Sequence, residues 1–308
     1  MSAIDSAGKH IVLEADGTRV EIGTVAAVLR GVTVGGVAVT EPLDGAKPPP
    51  FASGIVLAPW PNRVRDGRWT HDGEELQLDL TEVDKGNALH GLLRFTDYEV
   101  REQSVGSATL GALIAPQHGW PFLLDTWVRY EVRPDGITVT HGVTNLGGIR
   151  APYAAGTHPF LRIGDTPVED LTVTVAAATY FDVDERLNPI AERPVDGTRF
   201  DLREGRRVGD LELDTAFGGV TQLVGASARL TAPDGATLEL VQDVDWGYVQ
   251  VFTTPIFPRA GVRGTAIAIE PMTAPPDALN TGQGLTWLEP GASAEGSWGL
   301  RYTAAGSA

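Results

Sequence analysis

The sequence predicts an all-β protein, a sandwich or barrel of many short strands, and three observations lead there. Asp-Gly dipeptides recur between β-prone runs, short segments alternate apolar and polar residues with period 2, and no sustained i, i+3, i+4, i+7 apolar pattern marks a long helix. The 37 glycines and 21 prolines are spread along the chain. That spacing fits frequent tight turns better than a flexible linker.

The strands follow in order. Ile11-Val12-Leu13-Glu14 and Thr18-Arg19-Val20-Glu21-Ile22 flank Asp16-Gly17, a pair suited to the positive φ angles of a type I′ hairpin turn. Asp72-Gly73 precedes Leu76-Gln77-Leu78-Asp79-Leu80, which alternates as a half-buried strand should. Trp127-Val128-Arg129-Tyr130-Glu131-Val132 faces Ile137-Thr138-Val139-Thr140 across Asp135-Gly136. Thr172-Val173-Thr174-Val175 alternates again, and Asp234-Gly235 marks a fourth hairpin. No repeat, charge block or low-complexity segment interrupts the chain. Residues 1–308 therefore read as one large domain, antiparallel and poor in helix.

Composition narrows the function. Hydrophobic residues make up 42% and charged residues 21%, enough apolar material for a sizeable core. Acidic residues outnumber basic ones 40 to 24, a net charge of −16. That charge repels phosphate backbones and anionic lipid heads, so neither nucleic acid nor a membrane is an expected partner. With no cysteine, disulfides, thiolate nucleophiles and cysteine-based metal sites are excluded. The start, MSAIDSAGKHIVLEADG, shows no basic segment followed by an apolar one, and no apolar run approaches the ~18–20 residues of a membrane span. A cytoplasmic location, as monomer or homodimer, is expected.

Five separated patches carry the chemistry: Pro59-Trp60-Pro61-Asn62-Arg63-Val64, Asn87-Ala88-Leu89-His90-Gly91, Gly156-Thr157-His158-Pro159-Phe160, Leu213-Asp214-Thr215-Ala216-Phe217 and Ile267-Ala268-Ile269-Glu270-Pro271-Met272. Glu270 ends an apolar strand, and burial of a carboxylate raises its pKa toward neutrality, which suits a general base. On periodicity alone, the ordinary alternative is a strand-end carboxylate turned to solvent. His158 precedes a proline, which biases it to extended backbone. Its imidazole titrates near neutrality and suits a proton donor; a structural histidine bonded to a carbonyl is the alternative, for His90 as well. His10, His71, His118 and His141 have no comparable context. The histidines lack H-x-H or H-E-x-x-H spacing, so no metal is implied, although His90 and His158 are free to meet in space. Asp182/Asp184 and Asp243/Asp245 lack a full calcium-loop pattern, and Gly282-Gln283-Gly284 has no strand-to-helix context for a nucleotide.

Together these patches resemble the aldose 1-epimerase (galactose mutarotase) family over most of the chain. Asn62-Arg63 with Gly67-Arg68-Trp69, Leu89-His90-Gly91, Thr157-His158-Pro159-Phe160 (Phe160 standing where Tyr is usual), Asp214-Thr215-Ala216-Phe217, Val249-Gln250-Val251-Phe252-Thr253 and Ile269-Glu270-Pro271 appear in the family's order. The resemblance implies a large antiparallel β-sandwich with a sugar groove. It implies that Glu270 is the base and His158 the acid, while Arg63, His90, Asp214 and Gln250 bind sugar hydroxyls alongside Asn62. No cofactor is implied, because anomer exchange removes no electrons.

Three rival readings use other residues or give the same ones other roles. A hexose-6-phosphate 1-epimerase needs a phosphate pocket, for which Arg65, Arg68 and Arg94 are candidates. A non-catalytic carbohydrate-binding sandwich would stack sugars on Trp60 and Trp69. A glycoside hydrolase would pair Asp214 with Glu270 across one bond and leave His158 without a role.

Overall fold

The computed structural model describes residues 5–44, 47–221, 225–259 and 262–306. Two large antiparallel sheets dominate the described residues. The nine-stranded sheet runs, in spatial order, Glu99–Gln103, Ser107–Ile114, Leu124–Arg133, Gly136–Asn145, Ser293–Thr303, Thr237–Gln242, Ala228–Thr231, Thr172–Val175 and Arg206–Arg207. The eight-stranded sheet runs Pro189–Pro194, Thr179–Val183, Asp214–Gly218, Tyr248–Arg259, Val262–Met272, Gly156–Thr157 and Val56–Leu57, with Phe160–Leu161 paired to Val262–Met272 beside this path. A four-stranded sheet, His10–Ala15 to Val37–Ala38, precedes them. Among the described residues the one α-helix is the single turn Ala278–Thr281, and no helix is long and apolar enough to cross a membrane.

One contiguous apolar cluster joins the sheets. Val128, Tyr130, Val139, Trp298 and Leu300 from the nine-stranded sheet pack with Phe217, Val249, Val251, Ile267 and Ile269 from the eight-stranded sheet. Of the sandwich and barrel that the alternation leaves open, this is the sandwich, and strand periodicity decides what the other face holds. Ile267 and Ile269 point into the inter-sheet core, so Ala266, Ala268 and Glu270 take the opposite face. There Phe160, Phe252 and Phe257 pack over Ala266 and Ala268, leaving Glu270 at the end of an aromatic floor.

The hairpins divide by turn chemistry. Asp16-Gly17 (φ 53° and 82°) and Asp72-Gly73 (φ 49° and 82°) are two-residue turns with both residues left-handed, closing Ala15 on Thr18 and His71 on Glu74. Asp135-Gly136 departs from that expectation. Arg133 pairs with Gly136, so Pro134-Asp135 makes the turn and Gly136 belongs to the strand. A Cβ there would lie 1.9 Å from the Leu300 carbonyl oxygen, which is why only glycine fits. At Asp234-Gly235 the Ala232–Ala236 hydrogen bond of 2.8 Å closes a three-residue loop. Of the run Leu76 to Leu80, strand pairing covers Glu74–Gln77 only, and Leu80 is exposed.

Candidate active site

Three neighbouring strands place the acidic half of the site. Glu270 sits directly across from Gln250, and Gln250 across from Ala216. Asp214, two residues before Ala216 on the same face, accepts a 2.6 Å hydrogen bond from Gln250 Nε2. His158 follows directly on the short strand Gly156–Thr157, the next neighbour of the Glu270 strand. Its Nε2 lies 3.3 Å from Glu270 Oε1, with side-chain exposures of 7% and 2%. His158 Nδ1 and Glu270 Oε2 are buried without a protein partner, so both have hydrogen-bonding capacity in reserve.

The cationic half comes from the irregular loop after the cis Ala58-Pro59 bond. Asn62 adopts φ 56°, a conformation asparagine tolerates, and its Oδ1 accepts from the Arg63 N–H at 2.9 Å. Asn62 and His90 are tied twice: the His90 N–H donates to the Asn62 carbonyl at 2.9 Å, and the Asn62 N–H donates to His90 Nδ1 at 3.3 Å. Because Nδ1 accepts, the proton of a neutral His90 sits on Nε2. Gly91 must follow, since a Cβ there would come 2.0 Å from the Ala58 carbonyl oxygen. His90 and His158 do meet, edge to face with ring centroids 5.4 Å apart. Among the described residues, however, no group of three or more His, Asp or Glu side chains is placed to hold a metal ion.

Arg63 is gripped from behind by a residue the sequence did not single out. Its Nε and Nη2 donate to the two carboxylate oxygens of Glu82, both at 2.9 Å, while Nη2 stands 3.6 Å from Asp214 Oδ2. Burial opposes charge on Arg63, but Glu82, Asp214 and Glu270 outweigh it and hold its pKa above the ordinary value.

Burial governs the titrating groups. It raises Glu270 well above the carboxylate range, Asp214 adding to the rise and Arg63 opposing it. It lowers His90 well below its ordinary value, with His158, Arg94 and Arg63 adding to the effect. It takes His158 to about 4. Although His158 and Glu270 are within ion-pair distance, two groups this deeply buried favour the uncharged pair over imidazolium and carboxylate.

All seven site residues named from the sequence line one cavity of about 520 Å³: Asn62, Arg63, His90, His158, Asp214, Gln250 and Glu270. Phe51, Phe95 and Phe252 line it too; Phe252 falls within the Val249–Thr253 motif, but nothing around Phe51 and Phe95 in sequence flags them. The aromatic platforms expected at Trp60 and Trp69 are not there. Both are 2% exposed and pack on Trp120 inside the core. Two of the three arginines suggested for a phosphate are also engaged elsewhere. Arg65 binds Asp184 and the Pro189 carbonyl, and Arg68 binds Gln77 near Glu75. Arg94 alone of the three lines the cavity. His141, given no role by the sequence, is a buried residue of the strand Gly136–Asn145, 3% exposed, and its Nε2 accepts from Trp298 Nε1 and bonds Thr157 Oγ1, both at 3.2 Å, directly beside His158.

Two large antiparallel sheets packed face to face, with a cavity that gathers the buried His158 and Glu270 beside Arg63, Asp214 and Gln250, place the chain among the β-sandwich proteins. Residues 9–301 match the aldose 1-epimerase family, and the chain belongs to it. It is 32% identical over 286 residues, 92% of this chain and 90% of the relative, to the uncharacterized protein YihR of Escherichia coli (strain K12). The galactose mutarotase of Rattus norvegicus is 31% identical over 163 residues, which span 51% of this chain and 46% of that protein. Among solved structures, the aldose epimerase homologue of C. elegans superposes with a TM-score of 0.84 at 18% identity, covering 96% of this chain and 98% of the other. The galactose 1-epimerase of Lactobacillus acidophilus NCFM gives 0.81 at 21% identity, covering 96% and 94%.

Proposed function

We propose that the protein is a mutarotase, interconverting the α and β anomers of a free aldose such as glucose or galactose. The observation that carries this reading is the 3.3 Å contact between His158 Nε2 and Glu270 Oε1 in a cavity lined by Arg63, Asp214 and Gln250. Glu270 takes the proton from the anomeric O1 as His158 gives one to the ring O5. The C1–O5 bond breaks, its electron pair staying on O5, and C1=O1 forms. Rotation about C1–C2 turns the aldehyde, and the steps reverse on its other face.

Proton bookkeeping supports the assignment. The reactive pair holds one proton, as carboxylate and imidazolium. Ring opening leaves Glu270 protonated and His158 neutral, the charge state that burial favours, so the step runs toward what the site prefers. His90 Nε2–H and the Arg63 N–H groups not bound to Glu82 supply donors, and Asp214 and the unpartnered Gln250 Oε1 supply acceptors for hydroxyls. Such positioning adds to the ~10²–10⁴-fold that acid–base transfer itself contributes. Polarimetry of freshly dissolved α-D-glucose and α-D-galactose tests the reading: the protein should speed the approach to equilibrium, and an unchanged rate for both sugars would reject it.

One observation favours a second reading. Arg94 lines the cavity with its Nε buried and unpartnered, so a phosphorylated hexose is the alternative substrate. The comparison of glucose with glucose 6-phosphate separates the two.

A further inference from the structure

The proposed reaction leaves Glu82 without a role, yet its carboxylate is held by Arg63 and by Asn87 together. Its side chain is 13% exposed against 10% for Arg63, and the two meet through a two-point fork. The segment that carries it is closed on itself: the Glu82 N–H donates to the Asn87 carbonyl at 3.0 Å and the Asn87 N–H returns to the Glu82 carbonyl at 3.2 Å. The fully buried Asn87 divides its amide hydrogens between Glu82 Oε2 at 2.9 Å and the Arg186 carbonyl at 3.1 Å. Arg186 in turn donates to the carbonyls of Lys85 at 2.7 Å and Gly86 at 3.0 Å. A surface ion pair worth little would not be strapped from two sides.

We infer that Glu82 is a positioning residue of this site, fixing the Arg63 guanidinium so that Nη1 and the second Nη2 hydrogen remain for substrate. The inference rests on the mutarotase reading for its kinetic consequences only. Without the fork, Arg63 is a buried cation whose nearest remaining acids are Asp214, 3.6 Å away, and Glu270. It would turn toward them and compete with the sugar for the same groups. Glu82 also sets the charge that Glu270 experiences. The charged and titratable groups around Glu270 are His158, His90, Arg63, Arg94 and Asp214. Arg63 already pulls its pKa down, and removing the Glu82 charge strengthens that pull.

Two measurements test this, one of them free of activity. In the nuclear magnetic resonance spectrum, the Arg63 Nε–H, assigned by its loss in Arg63→Lys, should be protected from solvent exchange, and Glu82→Gln should abolish the protection. Protection that survives Glu82→Gln overturns the inference. In kinetics with galactose, Glu82→Gln should raise KM about tenfold, lower kcat less, and move the acid limb of kcat/KM to lower pH. Glu82→Asp keeps the charge but falls short of the fork, so KM should rise while the acid limb stays in place. That variant also carries the test if Glu82→Gln does not fold. Wild-type KM in both variants overturns the inference while leaving the mutarotase reading intact. A wild-type protein with no mutarotation rejects that reading, and the resonance of Arg63 still decides the role of Glu82.

Discussion

His141 and Thr157 join the two large sheets through a 3.2 Å hydrogen bond, and the residue after Thr157 is His158. Nε2 of His141 also receives the Trp298 indole N–H, so that nitrogen must stay unprotonated, and burial lowers its pKa to about 3. His158 thus follows directly on a strand pinned to the opposite sheet by a histidine that has to remain neutral.

Stability should therefore fall in acid, in a defined window. His141 at about 3 and His158 at about 4 lie below the ordinary ~6.5 that both regain on unfolding. Between those values the unfolded chain binds more protons, so their stabilising contribution is fully present above pH ~6.5 and is lost as pH falls toward 4 and 3. At pH 5 each costs roughly 2 kcal/mol. Glu270, with its raised pKa, acts oppositely, so the clean measurement is differential. His141→Gln keeps an acceptor for Thr157 and Trp298 but does not titrate. Its melting temperature should drop between pH 7.5 and pH 5 by a few degrees less than that of the wild type. Equal drops would show that His141 is not held neutral.

Substrate charge separates the two sugar readings. Asp214 and Glu270 face the cavity together with Arg63, which is already neutralised by Glu82, and the chain carries a net charge of −16. Unphosphorylated aldoses should turn over faster than glucose 6-phosphate. The reverse order, by coupled polarimetry, would assign the cavity arginine Arg94 to a phosphate.

Activity should also survive dialysis against EDTA, because proton transfer between Glu270, His158 and sugar oxygens needs no Lewis acid. Loss of activity that returns with a divalent ion would instead give the adjoining rings of His90 and His158 a metal to serve.

How much of this was legible in the sequence depends on whether local rules or long-range contacts decide. The apolar run ending in Glu270 reads as a buried strand, but periodicity alone favours a carboxylate turned to solvent, and only the family resemblance makes Glu270 a base; Asp16-Gly17 and Asp72-Gly73 turn as their dipeptides require. Gly136 did not, because what demands a glycine there is the Leu300 carbonyl of a strand far off in sequence. Trp60 looked available for stacking beside Asn62-Arg63, but Trp120 claims it. Glu82 was silent for a similar reason: it lies in the polar turn Thr81 to Gly86, and only the pairing of Arg63–Arg65 with Asn87–Leu89 brings it behind Arg63. The six ordered motifs marked the side chains that touch the cavity, not those that hold them.

The acid–base assignment itself predicts a particular pattern of losses. Glu270→Gln preserves size and hydrogen bonding but cannot take the O1 proton, and His158→Asn cannot cycle a proton near neutrality. Each should lower kcat by roughly 10²-fold or more, with sugar affinity by calorimetry nearly unchanged. Since the two share one proton across 3.3 Å, the double variant should cost far less than the product of the single losses. Arg63→Lys should behave differently. Lysine has no fork to satisfy both Glu82 oxygens and a substrate hydroxyl, so binding and turnover should weaken together. A Glu270→Gln protein that still equilibrates anomers at near-normal rate would remove Glu270 from the chemistry, leaving it a buried, protonated strand residue whose cost some other function would have to explain.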